Sequence, residues 1–268
     1  MASRVSTSSK ASAHSRHSRR RLPAKHLQVI APDMIRRMYK LLHDFHQVCA
    51  QFKLCYWLTG GTLLGAKRHD GIIPWDDDID VSMLHEDVEA LFRRRAVRNA
   101  LKKRRIGVVR FFFGLKLYDM DGLPPVEGRD YKFPFLDVFD QYLVAQPDAH
   151  GKIDRFTSDY AESIWPRCGH SSIGAIFPLK QIKFGRYLKV MVPRTNDYLS
   201  KCYGRQWATR IVFPDYDHTT ETAVKQQRPP LMLEVGERMT YAGKVYKPPA
   251  DDLPLEGVTN PDYKVYNQ

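Results

Sequence analysis

Cysteine is scarce in this chain of 268 residues, which contains four. None of them belongs to a C-x-x-C pair, which argues against a zinc knuckle, and four are too few for a dense disulfide framework. We therefore expect reduced and mostly buried thiols at Cys49, Cys55, Cys168 and Cys202.

Long apolar runs are also missing. No stretch approaches the roughly 20 consecutive apolar residues that a membrane-spanning helix needs. The N-terminus lacks the apolar centre of a secretory signal peptide. We therefore expect a cytoplasmic or peripheral membrane protein, with neither a signal peptide nor a transmembrane segment.

Acidic residues are absent from residues 1–26, which carry seven Lys and Arg side chains. The net charge of the whole chain is 42 minus 30, or +12, so 12 minus 7 leaves +5 for the rest. Because this basic segment is also rich in serine, we expect a disordered tail. The tail either contacts an anionic surface, such as nucleic acid or lipid, or only keeps the protein in solution.

What is present is an apolar content of 43%, enough for a substantial core, and one segment that a core does not require. Gly60 and Gly61 follow a short predicted strand, and glycine permits backbone conformations that are closed to other residues. Thr62 stands near the start of a predicted helix, where free backbone amides suit a phosphate group. We predict substrate-phosphate contacts at Gly60, Gly61 and Thr62, and at Arg68 one to two turns later.

A run of carboxylates follows the glycine pair. Asp76, Asp78 and Asp80 alternate into an apolar segment with Ile79 and Val81, and residues two apart share one face of a strand. Like charges so close raise one another's pKa unless a cation neutralises them. A magnesium ion, or manganese in its place, is the simplest cation for such oxygen ligands. The alternative is a solvated acidic turn.

Three isolated residues complete the predicted site. Asp137 interrupts the apolar strand Phe135–Phe139, and a buried carboxylate needs a cation or a set of hydrogen-bond donors, which neighbouring amides can also supply. Lys116 lies in a segment of strand-forming residues, and is either a donor-phosphate contact or an edge-strand lysine. His218 is a candidate contact to the donor or the acceptor substrate.

The segment from Leu58 to Val81 resembles the signature of the LicD family, which includes fukutin and the fukutin-related proteins. Further blocks resemble the family in the family's own order, so that the likeness covers roughly residues 30–218. These blocks are Pro134–Phe139, Phe177–Lys180, Phe184–Gly185, Tyr198–Leu199 and Tyr203–Trp207.

The resemblance implies an α/β (α+β) fold, with a nucleotidyltransferase-like mixed sheet flanked by helices, over residues 27–218. The charge and serine content of residues 1–26 predict a disordered basic tail before this domain, and the proline-rich composition of residues 219–268 predicts an extended appendage after it.

The resemblance also implies an activity. The chain is expected to move a phospho-substituent, phosphocholine or an alditol phosphate, from a CDP-activated donor to a hydroxyl of a glycan or glycoconjugate. Asp78, Asp80 and Asp137 would be catalytic, and these three together with Asp76 would bind the metal ion.

Two other functions are open from the sequence. The same carboxylates can transfer a nucleoside monophosphate to a protein or a small molecule, as other nucleotidyltransferases do. A non-catalytic protein on the same scaffold can instead bind nucleic acid or lipid through the basic tail.

Overall fold

A computed structural model of the chain describes residues 30–143, 154–156, 158–168, 171–225 and 230–233. The predicted basic tail, and with it the expected contact to an anionic surface, lies outside the described residues. The domain boundaries at residues 26 and 218 stay predictions. Among the described helices, none combines the length and apolar character that crossing a bilayer requires.

The described chain alternates helices and strands. The helices are α1 (Pro32–Phe52), α2 (Gly60–Arg68), α3 (His85–Arg93), α4 (Arg95–Lys103), α5 (Asp159–Ile164), α6 (Ile173–Ile176) and α7 (Asp197–Tyr203). The strands are β1 (Tyr56–Leu58), β2 (Ile79–Leu84), β3 (Ile106–Phe111), β4 (Gly114–Leu123), β5 (Phe133–Leu143), β6 (Asp154–Phe156), β7 (Lys180–Phe184), β8 (Leu188–Val192), β9 (Arg210–Ile211), β10 (Tyr216–Asp217), β11 (Thr222–Ala223) and β12 (Leu231–Met232).

The main sheet has the strand order β1-β2-β5-β4-β3, and β6 pairs with the end of β5. Strands β2 and β5 are parallel, and the other pairs are antiparallel. Helices α1, α3 and α4 contact this sheet. The predicted mixed sheet flanked by helices is therefore confirmed.

Helix α1 forms because its apolar residues recur at helical spacing. Ile35, Met38, Leu42 and Phe45 are all fully buried on one stripe. Proline occupies the first turn, where its missing N–H costs nothing, and Lys53 ends the helix in the left-handed conformation. The helix packs on β5, the strand that carries Asp137.

Strand β5 is central to the site because the register of its two neighbours places three charged residues in one row. Asp80 of β2 is the Cα partner of Asp137, and Lys116 of β4 is its partner on the other side. Residues that face each other across neighbouring strands point to the same side of the sheet, so this row presents its side chains together.

Candidate metal and phosphate site

Three carboxylates from two segments of the chain lie close together beside the glycine pair. One ligand oxygen of each of Asp78, Asp80 and Asp137 lies within 4.8 Å of the others. The pairing of Asp80 with Asp137 follows from the parallel register of β2 and β5. The prediction that Asp76, Asp78 and Asp80 alternate along one strand was wrong in part, because the strand begins at Ile79 and the first two acids precede it.

The glycine pair fits against these acids. The Gly61 amide donates a hydrogen bond to Asp80 Oδ2 at 2.9 Å, and the Asp80 amide donates to Thr62 Oγ1 at 2.8 Å. A Cβ atom on Gly60, whose φ is +52°, would overlap the Asp80 carboxylate, and one on Gly61 would overlap Asp76. Both positions therefore require glycine, since any side chain would displace an acid of the site.

The glycine amides already have partners in the structure. Gly60 N–H donates to the hydroxyl of Tyr198 at 3.0 Å, and Gly61 N–H is held by Asp80. Sequence reasoning placed Tyr198 in a motif but gave it no role at the site. The phosphate contacts of Gly60, Gly61 and Thr62 stay predictions.

Two cationic side chains contact the acids. Lys116 Nζ lies 2.7 Å from Asp137 Oδ1 and 3.0 Å from Oδ2, and both side chains are buried. His218 Nε2 lies 3.0 Å from Asp78 Oδ2, and its backbone amide donates to Asp77 Oδ2 at 2.9 Å. Lys116 and His218 thus lie at the predicted site, each paired with an acid.

Crowding separates the pKa values of these acids. Burial, with the charges of Asp78 and Asp76, raises the pKa of Asp80 well above its usual range. Burial also raises the pKa of Asp137 to about 6, against the lowering effect of Lys116. Asp78 is the exception, because the charge and hydrogen bond of His218 outweigh its burial and hold its pKa below the ordinary value.

His218 responds in the opposite sense. Burial opposes the charged imidazolium, but the charge and hydrogen bond of Asp78, with Glu221 and Asp77, raise the pKa of His218 to about 12. The histidine is therefore a fixed cation at neutral pH in this arrangement. Sequence reasoning missed Asp77 and Glu221; the adjacency of Asp77 to the other acids was the only signal available.

Asp76 and Arg68 take different positions from the central row. Asp76 belongs to neither of the two groups of potential metal ligands found among the described residues, and burial and the charges of Asp78 and Asp77 raise its pKa well above the usual range. Arg68 is buried, and its Nη1 donates to the carbonyl oxygens of Trp207 and Arg210 at 3.0 and 2.8 Å. The metal role of Asp76 and the phosphate role of Arg68 stay predictions.

The donor set suits a hard divalent cation. The central group offers only carboxylate oxygens, the ligand type that magnesium and manganese prefer. Burial is the main cause of the raised pKa values of Asp80 and Asp137, and the neighbouring carboxylates add to it, so a cation would stabilise the ionised forms. The second group, Asp77, Asp78 and His218, adds an imidazole that is already paired.

A cavity of about 1070 Å³ opens beside the acids. Its lining runs from the glycine pair and the acids to an aromatic region that sequence reasoning did not assign to the site. We call this region the aromatic wall, and define it as Phe111, Phe112, Phe113, Phe139 and Trp165.

A disulfide also lines this cavity. Cys168 and Cys202 are joined, with their Cα atoms 4.9 Å apart, so the expectation of reduced thiols was wrong for this pair. Cys49 and Cys55 are free and buried, as expected. The bond ties the segment after α5 to α7, the helix that carries Tyr198.

Comparison with known proteins agrees with this geometry. The family described as LicD/FKTN/FKRP, nucleotidyltransferase domain, matches residues 53–195. The lipopolysaccharide cholinephosphotransferase LicD of Haemophilus influenzae is 60% identical over 47 residues, which are 18% of this chain and 17% of that protein. The human ribitol 5-phosphate transferase FKRP is 64% identical over 33 residues, 12% of this chain and 7% of that protein. An uncharacterized protein of Rickettsia prowazekii is 50% identical over 50 residues, 19% of each chain.

The matched segments therefore span less than a fifth of each of these relatives. The family match, in contrast, covers more than half of this chain and includes the glycine pair, the acid run and Asp137. The chain belongs to the LicD/FKTN/FKRP family of nucleotidyltransferase domains.

Proposed function

We propose that this protein transfers a substituted phosphate group, such as phosphocholine or an alditol phosphate, from a CDP-activated donor to a hydroxyl of a glycan. The observation that carries the proposal is the convergence of Asp78, Asp80 and Asp137 beside a glycine pair that opens helix α2. The printed names of two relatives, a cholinephosphotransferase and a ribitol 5-phosphate transferase, support this class of reaction.

Asp78, Asp80 and Asp137 would hold a magnesium or manganese ion. When bound, such an ion supplies Lewis-acid polarisation of phosphate oxygens and offsets the charge of a leaving nucleotide. Asp76 lies beside Gly61, and although burial and the neighbouring acids raise its pKa, a cation held by the three carboxylates would favour its ionised form.

Asp137 also suits the role of proton acceptor for the attacking hydroxyl. In this step the acceptor oxygen forms a bond to phosphorus, the bond from phosphorus to the CMP oxygen breaks with its electron pair, and the hydroxyl proton passes to Asp137. Without a metal ion, burial raises the pKa of Asp137 to about 6, so the carboxylate is ionised at neutral pH; a nearby cation would lower this pKa, and Asp137 would act as the base only while it does not itself bind the ion. Lys116 keeps Asp137 oriented and ionised.

His218 fixes the second acid. Its imidazolium contacts Asp78 while its backbone amide holds Asp77, so the chain after β10 closes over the acid run. A cation at this position would also attract the donor's phosphates. We therefore propose that His218 positions Asp78 and contributes to donor binding.

The test is CMP release by the full chain from CDP-choline, CDP-ribitol and CDP-glycerol, with and without magnesium. We expect one donor to be turned over only when magnesium is present. A matched control is Asp121→Asn, an exposed acid paired with Arg105 away from the cavity lining. Absence of magnesium-dependent CMP release from all three donors would contradict the proposal.

A second candidate function is transfer of the CMP group itself, which the family description as a nucleotidyltransferase domain favours. The same carboxylates can serve either reaction, because both break a bond in the donor's diphosphate. The products separate them: free CMP supports the first function, and a CMP-modified acceptor with release of the phospho-substituent supports the second. Mass spectrometry of the acceptor reads the difference directly.

A further inference from the structure

The aromatic wall lies next to the acids on strand β5. Phe139 lies two positions after Asp137 on β5, so both side chains point to the same face, about 7 Å apart along the strand. Its Cα partner on β4 is Gly114, at the tip of the hairpin that carries the other three phenylalanines. The wall is therefore continuous with the candidate active site and lines the same cavity.

The rings of the wall pack on one another. Phe113 lies 4.9 Å from Phe139 between ring centroids, and Trp165 lies 5.2 Å from Phe139. Phe112 stacks parallel to Trp165, with 8° between the planes, yet is 40% exposed. Ile164, 42% exposed, continues this apolar surface along the cavity lining.

Such exposure is costly, because each large apolar side chain left in water forgoes stabilisation that burial would give. Contiguous exposed apolar surface beside a cavity is typical of a binding site rather than of an ordinary surface. Arg167, which is exposed and follows Trp165 by two residues, lines the same cavity and offers hydrogen-bond donors.

The strand order separates the wall from the glycine pair. The glycine pair follows β1 and contacts Asp80 of β2, on one side of the central acids. The four phenylalanines of the wall arise from β5 and from the hairpin of β3 and β4, on the other side, and Trp165 joins them from the end of α5. In phosphoryl transfer the attacking and leaving oxygens lie roughly in line through phosphorus. If the donor's phosphates lie at the glycine pair, as proposed above, this in-line arrangement directs the acceptor to the other side of the acids.

We propose that the aromatic wall is the acceptor subsite, on which a sugar ring lies with its C–H face against the exposed part of Phe112. This inference rests on the proposed function, which places the donor's phosphates at the glycine pair. One face of a pyranose ring presents C–H groups with partial positive charge, and these complement the electron-rich faces of aromatic rings. The hydroxyls at the ring edge remain available to Arg167.

The experiment is saturation-transfer NMR on the full chain with methyl β-D-galactopyranoside, methyl β-D-glucopyranoside, choline and CMP as separate probes. We expect ring C–H signals of at least one sugar in the wild type. Phe112→Ala should weaken that sugar's binding about fivefold, corresponding to the loss of one aromatic contact. CMP binding should not change.

Two further variants distinguish the loss of an aromatic contact from a general effect on folding. Phe112→Tyr keeps an aromatic face and should restore sugar binding. Tyr187→Ala removes a similarly exposed aromatic side chain that lies outside the cavity lining, and should leave every probe unaffected. In turnover, Phe112→Ala should raise the KM for the acceptor while the KM for the donor stays constant.

Three outcomes would overturn the inference: no sugar bound by the wild type, sugar binding unchanged in Phe112→Ala, or loss of choline or CMP binding in its place. The last would assign the wall to the donor. The proposed function fails separately, through absence of magnesium-dependent CMP release. Magnesium-dependent CMP release, together with sugar binding that is unchanged in Phe112→Ala, would contradict only the assignment of the wall to the acceptor.

Discussion

Two pairs of opposite charge on the main sheet lie in contrasting surroundings. The side chains of Lys116 and Asp137, on β4 and β5, are 3% and 6% exposed, whereas those of Arg105 and Asp121 are 56% and 58% exposed. An exposed pair is screened by water and contributes little, while a buried pair loses the hydration of both ions. Since a core is built more cheaply from apolar residues, the buried pair points to a chemical role beside Asp78 and Asp80.

The largest effect is expected when one of the three converging acids is removed. Asp78→Asn should lower CMP release about a thousandfold, because a metal ligand and the partner of His218 are lost together. The unfolding midpoint without metal should fall, because the lowered pKa of Asp78 means that its ionised form stabilises the fold, and its loss leaves the buried His218 without that partner. Calorimetry and the CMP assay measure the two effects, and near-normal turnover would refute the metal assignment.

The next test separates the two cations. Lys116→Met leaves the Asp137 carboxylate buried without its partner and should lower the free energy of unfolding by roughly 3 kcal/mol. The double variant Lys116→Met with Asp137→Asn should recover part of that loss while remaining inactive. Urea unfolding monitored by circular dichroism provides the measurement. Equal stability of the single variant and the wild type would mean that the pair carries no desolvated charge.

A third prediction concerns pH and metal together. Burial raises the folded-state pKa values of Asp77 and Asp137 from 3.8 to about 6 when no metal is bound. Between these two pH values the folded chain therefore binds more protons than the unfolded chain. Their contribution to stability is therefore lost as pH rises from about 4 to about 6. A divalent cation needs the ionised carboxylates, so magnesium should raise the melting temperature more at pH 7 than at pH 5.

The measurement is the melting temperature with magnesium and with a chelator across this pH range, by scanning calorimetry. Asp137→Asn provides the control, because it removes one of the titrating ligands. We expect its response to magnesium to be smaller and less dependent on pH. A magnesium effect that is independent of pH in the wild type would contradict the assignment of Asp137 as a ligand.

The smallest effect is expected at the exposed pair. Asp121→Asn removes the contact to Arg105, and both groups lie in water. The unfolding midpoint and the rate of CMP release should both be indistinguishable from those of the wild type. A clear loss in either would show that the contrast between exposed and buried pairs is not the decisive property.

Much of the fold was predictable from periodicity and turn chemistry. The apolar spacing of α1, the strand-forming segments of β3 to β5 and the glycine that ends α7 at Gly204 were all readable in the sequence. A lone acid within an apolar strand predicted that Asp137 needs a partner, while its grouping with Asp78 and Asp80 was implied by the family resemblance. The local signal thus predicts that a partner is required, and not which residues provide it.

Other features depend on contacts that local patterns do not encode. Cys168 and Cys202 are separated by 34 residues in the chain, and spacing alone does not say which thiols meet. Trp165 lies in a stretch without clear periodicity, so its packing on Phe139 had no signal in the sequence. The carbonyl partners of Arg68 lie about 140 residues away, and any long cation would have looked equally suited to a phosphate.

The alignment of Asp80, Asp137 and Lys116 in one row has an evolutionary and engineering consequence. A slip of β5 by a single position would turn Asp137 to the opposite face and bring Leu136 or Val138 into the row, replacing an acid by a hydrocarbon. Insertions or deletions inside β5 are thus far more damaging than substitutions of its apolar residues. Variation in length is tolerable only in the connections outside this strand.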